Sequence, residues 1–176
     1  MSADYRGNEQ VKSFLALIFI VLSLSFTTVA PSIVSVIKYI NHTSKEIKRN
    51  QAAVIKIRET VNGQCFKDEV LDKKFIQTNN KTSQQVLDSI LESNVNIKLS
   101  MYRSRKNTVG YTYPSSSTIW MNRKYHDHMD PCDVGANLSH EHAHKLGYKH
   151  AVNPSKSRAN SVPYAIGKII EKCCKD

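Results

Sequence analysis

His140, Glu141, His144, Gly147 and His150 follow one another as H-E-x-x-H-x-x-G-x-x-H, and this spacing constrains the fold more than any other stretch of the chain. Residues four apart share one face of a helix, so a helix through His140 and His144 brings two imidazoles to one point. Two such nitrogens at about 2.0–2.1 Å suit a single Zn²⁺. Glu141 sits beside the first of them, where its carboxylate can reach a water without binding the metal. Gly147 ends the helix, because glycine takes the left-handed conformation at little cost. The chain then turns and returns His150 as a third ligand. Six of the seven histidines lie between His126 and His150, and such richness produces chance H-x-x-x-H spacings. It does not explain Glu141 and Gly147 in their places.

The stretch Leu138–His150 resembles the long zinc motif of the metzincin metallopeptidases. That resemblance implies an α+β, zincin-like catalytic domain. A short sheet packs on an active-site helix and a backing helix, and the chain's own apolar run near the N-terminus places a hydrophobic helix before them. It also implies one catalytic zinc on His140, His144 and His150, Glu141 as general base, and a peptide or protein substrate. Metzincins carry a methionine turn after the third histidine, whereas all four methionines here precede the motif. At the corresponding distance stand Ser161-Val162-Pro163-Tyr164. The partial likeness makes Tyr164 a candidate to hydrogen-bond the oxyanion. In the related gluzincins a later glutamate is the third ligand, and Glu171 is the residue spaced for that role. His150 with Gly147 is the more specific match.

Before the motif, Asp130-Pro131 marks a helix start, with Asp130 as cap and Pro131 in the first turn. Leu138, His142 and Leu146 fall on a different side from His140 and His144, so His142 is expected in the core, packed and hydrogen-bonded. His126 and His128 are expected in a surface loop. Thr82 with Gln85 forms a capping-box pattern, and Val86, Leu87, Ile90 and Leu91 give the following helix one apolar face. Val95, Ile97, Leu99 and Met101 alternate with polar residues as in a half-buried strand. Val109–Tyr113 is a second strand. Thr118–Tyr125 is a third, one short loop ahead of the zinc helix. By the resemblance, Thr118, Ile119, Trp120, Met121 and Asn122 line the substrate cleft and take an extended peptide by strand addition.

Residues 62–176 thus form the expected metallopeptidase domain, and residues 41–61 read as a linker becoming a helix. Residues 1–40 read as a signal peptide or a membrane anchor. Phe14–Ala30 is an uncharged apolar run after Lys12, with Thr28-Val29-Ala30 as a small-residue cleavage site. Pro31 disfavours cleavage there, and an uncleaved segment over residues 14–37 is long enough to span a bilayer. The basic flank Lys38, Lys45, Lys48 and Arg49 places the domain in the cytoplasm by the positive-inside rule. Export is favoured by four cysteines, Cys65, Cys132, Cys173 and Cys174, in no zinc-site spacing. The reading adopted is an exported domain, released or tethered, with disulfides. Cys132 to Cys173 or Cys174 is the favoured bridge, and buried free thiols are the alternative.

The formal net charge is +10. Arg6 and Lys12 balance Asp4 and Glu9 within residues 1–30, so the whole excess lies beyond them. Such a surface favours polyanions, headgroups or acidic substrates. No basic block interleaved with aromatics marks a specific nucleic-acid site, and the sequence sets no oligomeric state. Two other functions fit the same residues: a non-catalytic, membrane-tethered metal-binding protein, and a hydrolase of cell-wall peptides.

Overall fold

The computed structural model describes residues 33–151, 155 and 157–176. Four strands form one sheet: β1 (Val34–Ile40), β2 (Val95–Tyr102), β3 (Gly110–Thr112) and β4 (Thr118–Asn122), in the order β1-β2-β4-β3. The first three strands of that order run parallel, and β3 is an antiparallel edge. The helices are α1 (Ser44–Asn62), α2 (Gln64–Asp72), α3 (Ser83–Leu91), the single turn α4 (Arg123–His126), α5 (Pro131–Lys145) and α6 (Val162–Lys175). The class is α+β, as the sequence implied.

Alternation decides which face of the sheet is covered. Ile97, Leu99 and Met101 of β2 and Ile119 and Met121 of β4 are buried. They meet Ala53 and Ile57 of α1, Val134 and Leu138 of α5, and Ile166 and Ile170 of α6 in one core. Trp120 lies on the opposite face, where it stacks on Tyr111 with ring centroids 5.1 Å apart. The α5 helix packs chiefly against α6 and α1, and it also touches β3. The Cβ of any larger residue at Gly110 would stand 2.8 Å from Asn137 Nδ2 and 3.1 Å from Trp120 O. Glycine therefore lets the edge strand lie close against α5.

Three helices begin as their caps dictate. At α3, Thr82 Oγ1 accepts from Gln85 N, and Gln85 Oε1 accepts from Thr82 N at 2.9 Å. At α5, Asp130 Oδ1 accepts from Asp133 N at 2.8 Å with Pro131 in the first turn. The third, at α1, is a Thr43–Glu46 capping box in the segment expected to be a linker becoming a helix. That segment is a 19-residue helix packed on α5. Glu46 also accepts from Arg123 Nε at 2.7 Å, and Arg123 donates to Asn41 O.

Several expectations are corrected. Val34–Ile40 pairs with β2 instead of ending a membrane span. Ile33 and Val34 are buried, and β1 and α1 belong to one compact unit with the remaining described elements. The boundary expected at residue 40 therefore falls inside the folded unit. The signal or anchor reading of residues 14–30, and the N-terminal hydrophobic helix with it, lies outside the described residues. Among those described, no helix is long and apolar enough to cross a membrane. The third strand stops at Asn122, because Asn122 Oδ1 caps the turn of α4 through Lys124 N. His126 is 1% exposed and not on the surface. Its Nε2 pairs with Asn50 Oδ1 at 3.0 Å, and its carbonyl accepts from Arg49. His128 is exposed as expected.

Both disulfides form. Cys65 joins Cys173 and Cys132 joins Cys174, tying the end of α6 to the starts of α2 and α5. The favoured Cys132 bridge is thus present, with Cys65 taking the other cysteine.

Candidate metal centre

The end of α5 explains how three histidines converge. Tyr148 N donates to Ala143 O and Gly147 N to His144 O, each at 3.1 Å. These two bonds are a Schellman cap, with Gly147 left-handed at φ 87°. Ala143 and Tyr148, the residues that such a cap brings together, are both 1% exposed. The chain reverses there and carries His150 back toward the helix. The ring centroids stand 5.0 Å apart for His140 and His144, 5.3 Å for His140 and His150, and 4.8 Å for His144 and His150. One nitrogen from each lies within 4.8 Å of the others.

The second nitrogen on two of these rings is already engaged. His144 Nδ1 donates to Tyr148 O at 2.8 Å and His150 Nδ1 to Ala151 O at 2.9 Å. Those bonds leave Nε2 of each for the centre, the arrangement that orients histidine ligands in metal sites. The backbone at Pro163 performs the same role beside His140. Burial, and then the neighbouring His144 and His150, hold the His140 imidazole down to about 3. Burial likewise lowers His144. Both rings are neutral at physiological pH, as metal ligands must be. The donor set thus fits one divalent cation of zinc type, with three imidazoles and an open side.

That open side faces a cavity of about 720 Å³. Its floor is His140, Glu141 and His144. One wall is β3 with the residues before it, Asn107 to Thr112, and the other is α6 with Tyr164, Lys168 and Glu171. Glu141 is 4% exposed, and burial pushes its carboxyl up to about 7, with Lys145 pulling the other way. The Tyr164 ring stands 4.6 Å from His140 and 4.8 Å from His150, at the N-terminal turn of α6.

No protein-family model, curated protein or solved structure matches this chain.

The structure brings His140, Glu141, His144, His150 and Tyr164 together as the sequence implied. It does not bring Thr118 to Asn122 into the cleft. Strand β4 is interior, hydrogen-bonded to β2 on one side and β3 on the other, so it has no free edge for a peptide. Ile119 and Met121 face the core, Trp120 stacks on Tyr111, and Asn122 Nδ2 donates to Ser104 O and Thr108 O. The sheet edge at the cleft is β3, expected only as a second strand. Nothing in its three residues distinguishes an edge from an interior strand. Glu171 lies further along the cavity wall and accepts from Lys175 Nζ at 3.3 Å, outside the converging trio. His142 is buried as expected, but its Nε2 meets no hydrogen-bond partner among the described residues. A second trio, Glu46, His126 and Asp127, also converges. Arg123 already occupies Glu46 there.

Two residues were missed. Lys145 Nζ donates to Tyr113 O at 2.8 Å and also to Ser116 O, pinning the β3–β4 turn beside the cleft. The signal was its place one turn after Glu141. The Arg158 guanidinium lies 4.6 Å over the Tyr164 ring. No sequence spacing pointed to it.

Proposed function

We propose that this chain is a zinc-dependent endopeptidase. The observation that carries the reading is the convergence of three imidazoles, two of them held by backbone carbonyls, on a cavity that also holds the buried carboxyl of Glu141. Zinc bound there supplies Lewis acidity to a water and to a peptide carbonyl.

The residues of the chain perform the remaining tasks. His140, His144 and His150 hold the ion, and the carbonyls of Tyr148 and Ala151 hold two of the rings in the ligating tautomer. Glu141 takes a proton from the attacking water and returns it to the leaving amine. A carboxyl set near neutrality by burial is suited to both transfers. Tyr164 presents its phenol at the same centre to share the oxyanion's charge. The unpaired edge of β3 takes the substrate backbone as an added strand.

The test is Glu141→Gln, assayed on an unfolded protein substrate with the metal content measured in parallel. The expected result is unchanged zinc with hydrolysis reduced by roughly 10²-fold or more. Normal hydrolysis by the variant would remove Glu141 from the mechanism.

A further inference from the structure

From Ser93 to His126 the chain has no aspartate or glutamate, and it has six lysines and arginines. Arg123 is committed to Glu46, and Lys124 Nζ donates to Arg105 O and Asn107 Oδ1. Arg103, Arg105 and Lys106 are exposed on the loop after β2, and their side chains meet no acceptor or carboxylate among the described residues. That loop is braced from beneath. The fully buried Asn122 accepts from Ser104 N at 3.1 Å and donates to Ser104 O and Thr108 O at 3.0 and 3.1 Å. Arg103 and Arg105 stand with Lys124 around a hollow of about 470 Å³. Like charges held together on a braced loop repel one another, and an anion relieves that repulsion. Tyr102 joins this loop to a cluster of rings. Its OH donates to Thr108 O at 3.3 Å, and its ring meets Tyr111 edge-on at 5.4 Å. Tyr111 stacks on Trp120, and Tyr113 packs edge-on against both, at 5.7 and 5.6 Å. Tyr113 is 58% exposed. Strand alternation puts Tyr102, Tyr111 and Trp120 on the face turned away from the core.

We infer that this face binds single-stranded nucleic acid without regard to sequence. Its phosphates lie on Arg103, Arg105 and Lys106, and its bases on the ring cluster, with Tyr113 as the exposed stacking platform. Unpaired cations select a polyanion, and guanidinium groups suit phosphate. Rings beside them select a polyanion whose repeating units carry a flat π-face, which nucleobases have and lipid headgroups lack. A duplex keeps those faces in its own stack, so a single strand fits better. The cations and rings are spread from Tyr102 to Trp120 in sequence, and the pairing of β2, β4 and β3 gathers them. That is why no compact basic and aromatic block shows in the sequence. The inference does not rest on the peptidase reading, because Arg103, Arg105 and Lys106 lie outside the lining of the metal cavity.

The chain has one tryptophan, Trp120, so its fluorescence reports on this face alone. The full native chain is titrated with oligothymidylate of about 10 nucleotides. Parallel titrations use an abasic strand of the same length and charge, thymidine monophosphate, and phosphatidylserine vesicles. Oligothymidylate is expected to quench Trp120 and to bind about 10-fold or more tighter than the abasic strand. Its affinity is expected to fall with salt at a log–log slope of about −2, the value for three phosphates on a single strand. Arg103→Gln, Arg105→Gln and Lys106→Gln combined are expected to bring that slope close to zero. Tyr113→Ala is expected to weaken the oligothymidylate about 5- to 100-fold, the range of one lost base stack, and to leave the abasic strand unchanged. Tyr113→Phe keeps the ring and is expected to bind as the native chain does, and an unchanged unfolding midpoint shows that each variant is folded. Equal affinity for the abasic strand, or for the monophosphate, overturns the proposal. A slope that survives the triple substitution overturns it as well. Binding to the vesicles without binding to oligothymidylate gives the face to a membrane and overturns it likewise, as does the absence of any binding.

Discussion

His126 shows how far one residue departs from what its neighbours in sequence suggest. Between Tyr125 and Asp127 it reads as a polar loop residue, yet it is almost fully enclosed, paired with Asn50 of α1. Burial, and then the nearby Arg49, hold its imidazole down to about 4, against the ordinary 6.5. Glu46, beside it, is pushed up by burial, but the hydrogen bonds from Arg123 and Thr43 outweigh this and bring it down to about 2. The two groups act on stability in adjoining pH ranges. Between pH 6.5 and 4 the unfolded chain takes up a proton at His126 that the folded chain refuses, so stability falls as pH falls. Between 4.5 and 2 the unfolded chain protonates Glu46 first, and stability falls again. Each step is worth about 3 kcal/mol. Urea unfolding at pH 7, 5 and 3 is therefore expected to show a decline already present at pH 5. His126→Gln is expected to make the pH 7 to 5 decline shallower without removing it, because burial lowers His140 and His142 as well, and to leave the Glu46 portion in place. A decline confined to below pH 4.5 would contradict the buried-histidine account.

At the scale of elements, legibility followed the physics of each signal. The helix start at Asp130-Pro131, the capping box at Thr82 and the alternation of β2 are local devices, and the structure reproduces them. The box at Thr43–Glu46 is equally local, and it starts α1 at the head of the segment expected to be a linker becoming a helix. The position of β3 at the edge was not legible, because strand order depends on pairings distant in sequence. The same is true of Arg158, which reaches the site only through the return of α6 over α5. Gly147 is the element-level feature most open to test. Its φ of 87° is left-handed, and nothing lies within 4 Å of an added Cβ, so alanine there acts through the backbone alone. Gly147→Ala is expected to cost about 1–2 kcal/mol and to weaken metal binding, since the cap sets where His150 returns. Asn, which tolerates this region better, is expected to cost less. Equal thermal stability of the alanine variant would show that the cap does not depend on the left-handed residue.

Across the whole molecule, the last helix is the organising partner. It forms one wall of the cleft, supplies Tyr164, and is fastened at its far end by both disulfides. These close sequence separations of 108 and 42 residues, each worth about 4 kcal/mol by loop-closure entropy. Both act on the same helix, so their effects overlap instead of adding. Reduction is expected to lower the unfolding free energy by several kcal/mol and to release α6, with loss of metal before global unfolding. Retention of the metal by a fully reduced chain would separate the centre from the clamp. Zinc binding by the three histidines is tested most directly by metal analysis of the purified chain by mass spectrometry. One zinc per native chain is expected, retained in Glu141→Gln and lost in His144→Ala. A native chain that binds no zinc, or a His144→Ala chain that keeps a full equivalent, would contradict the three-histidine site.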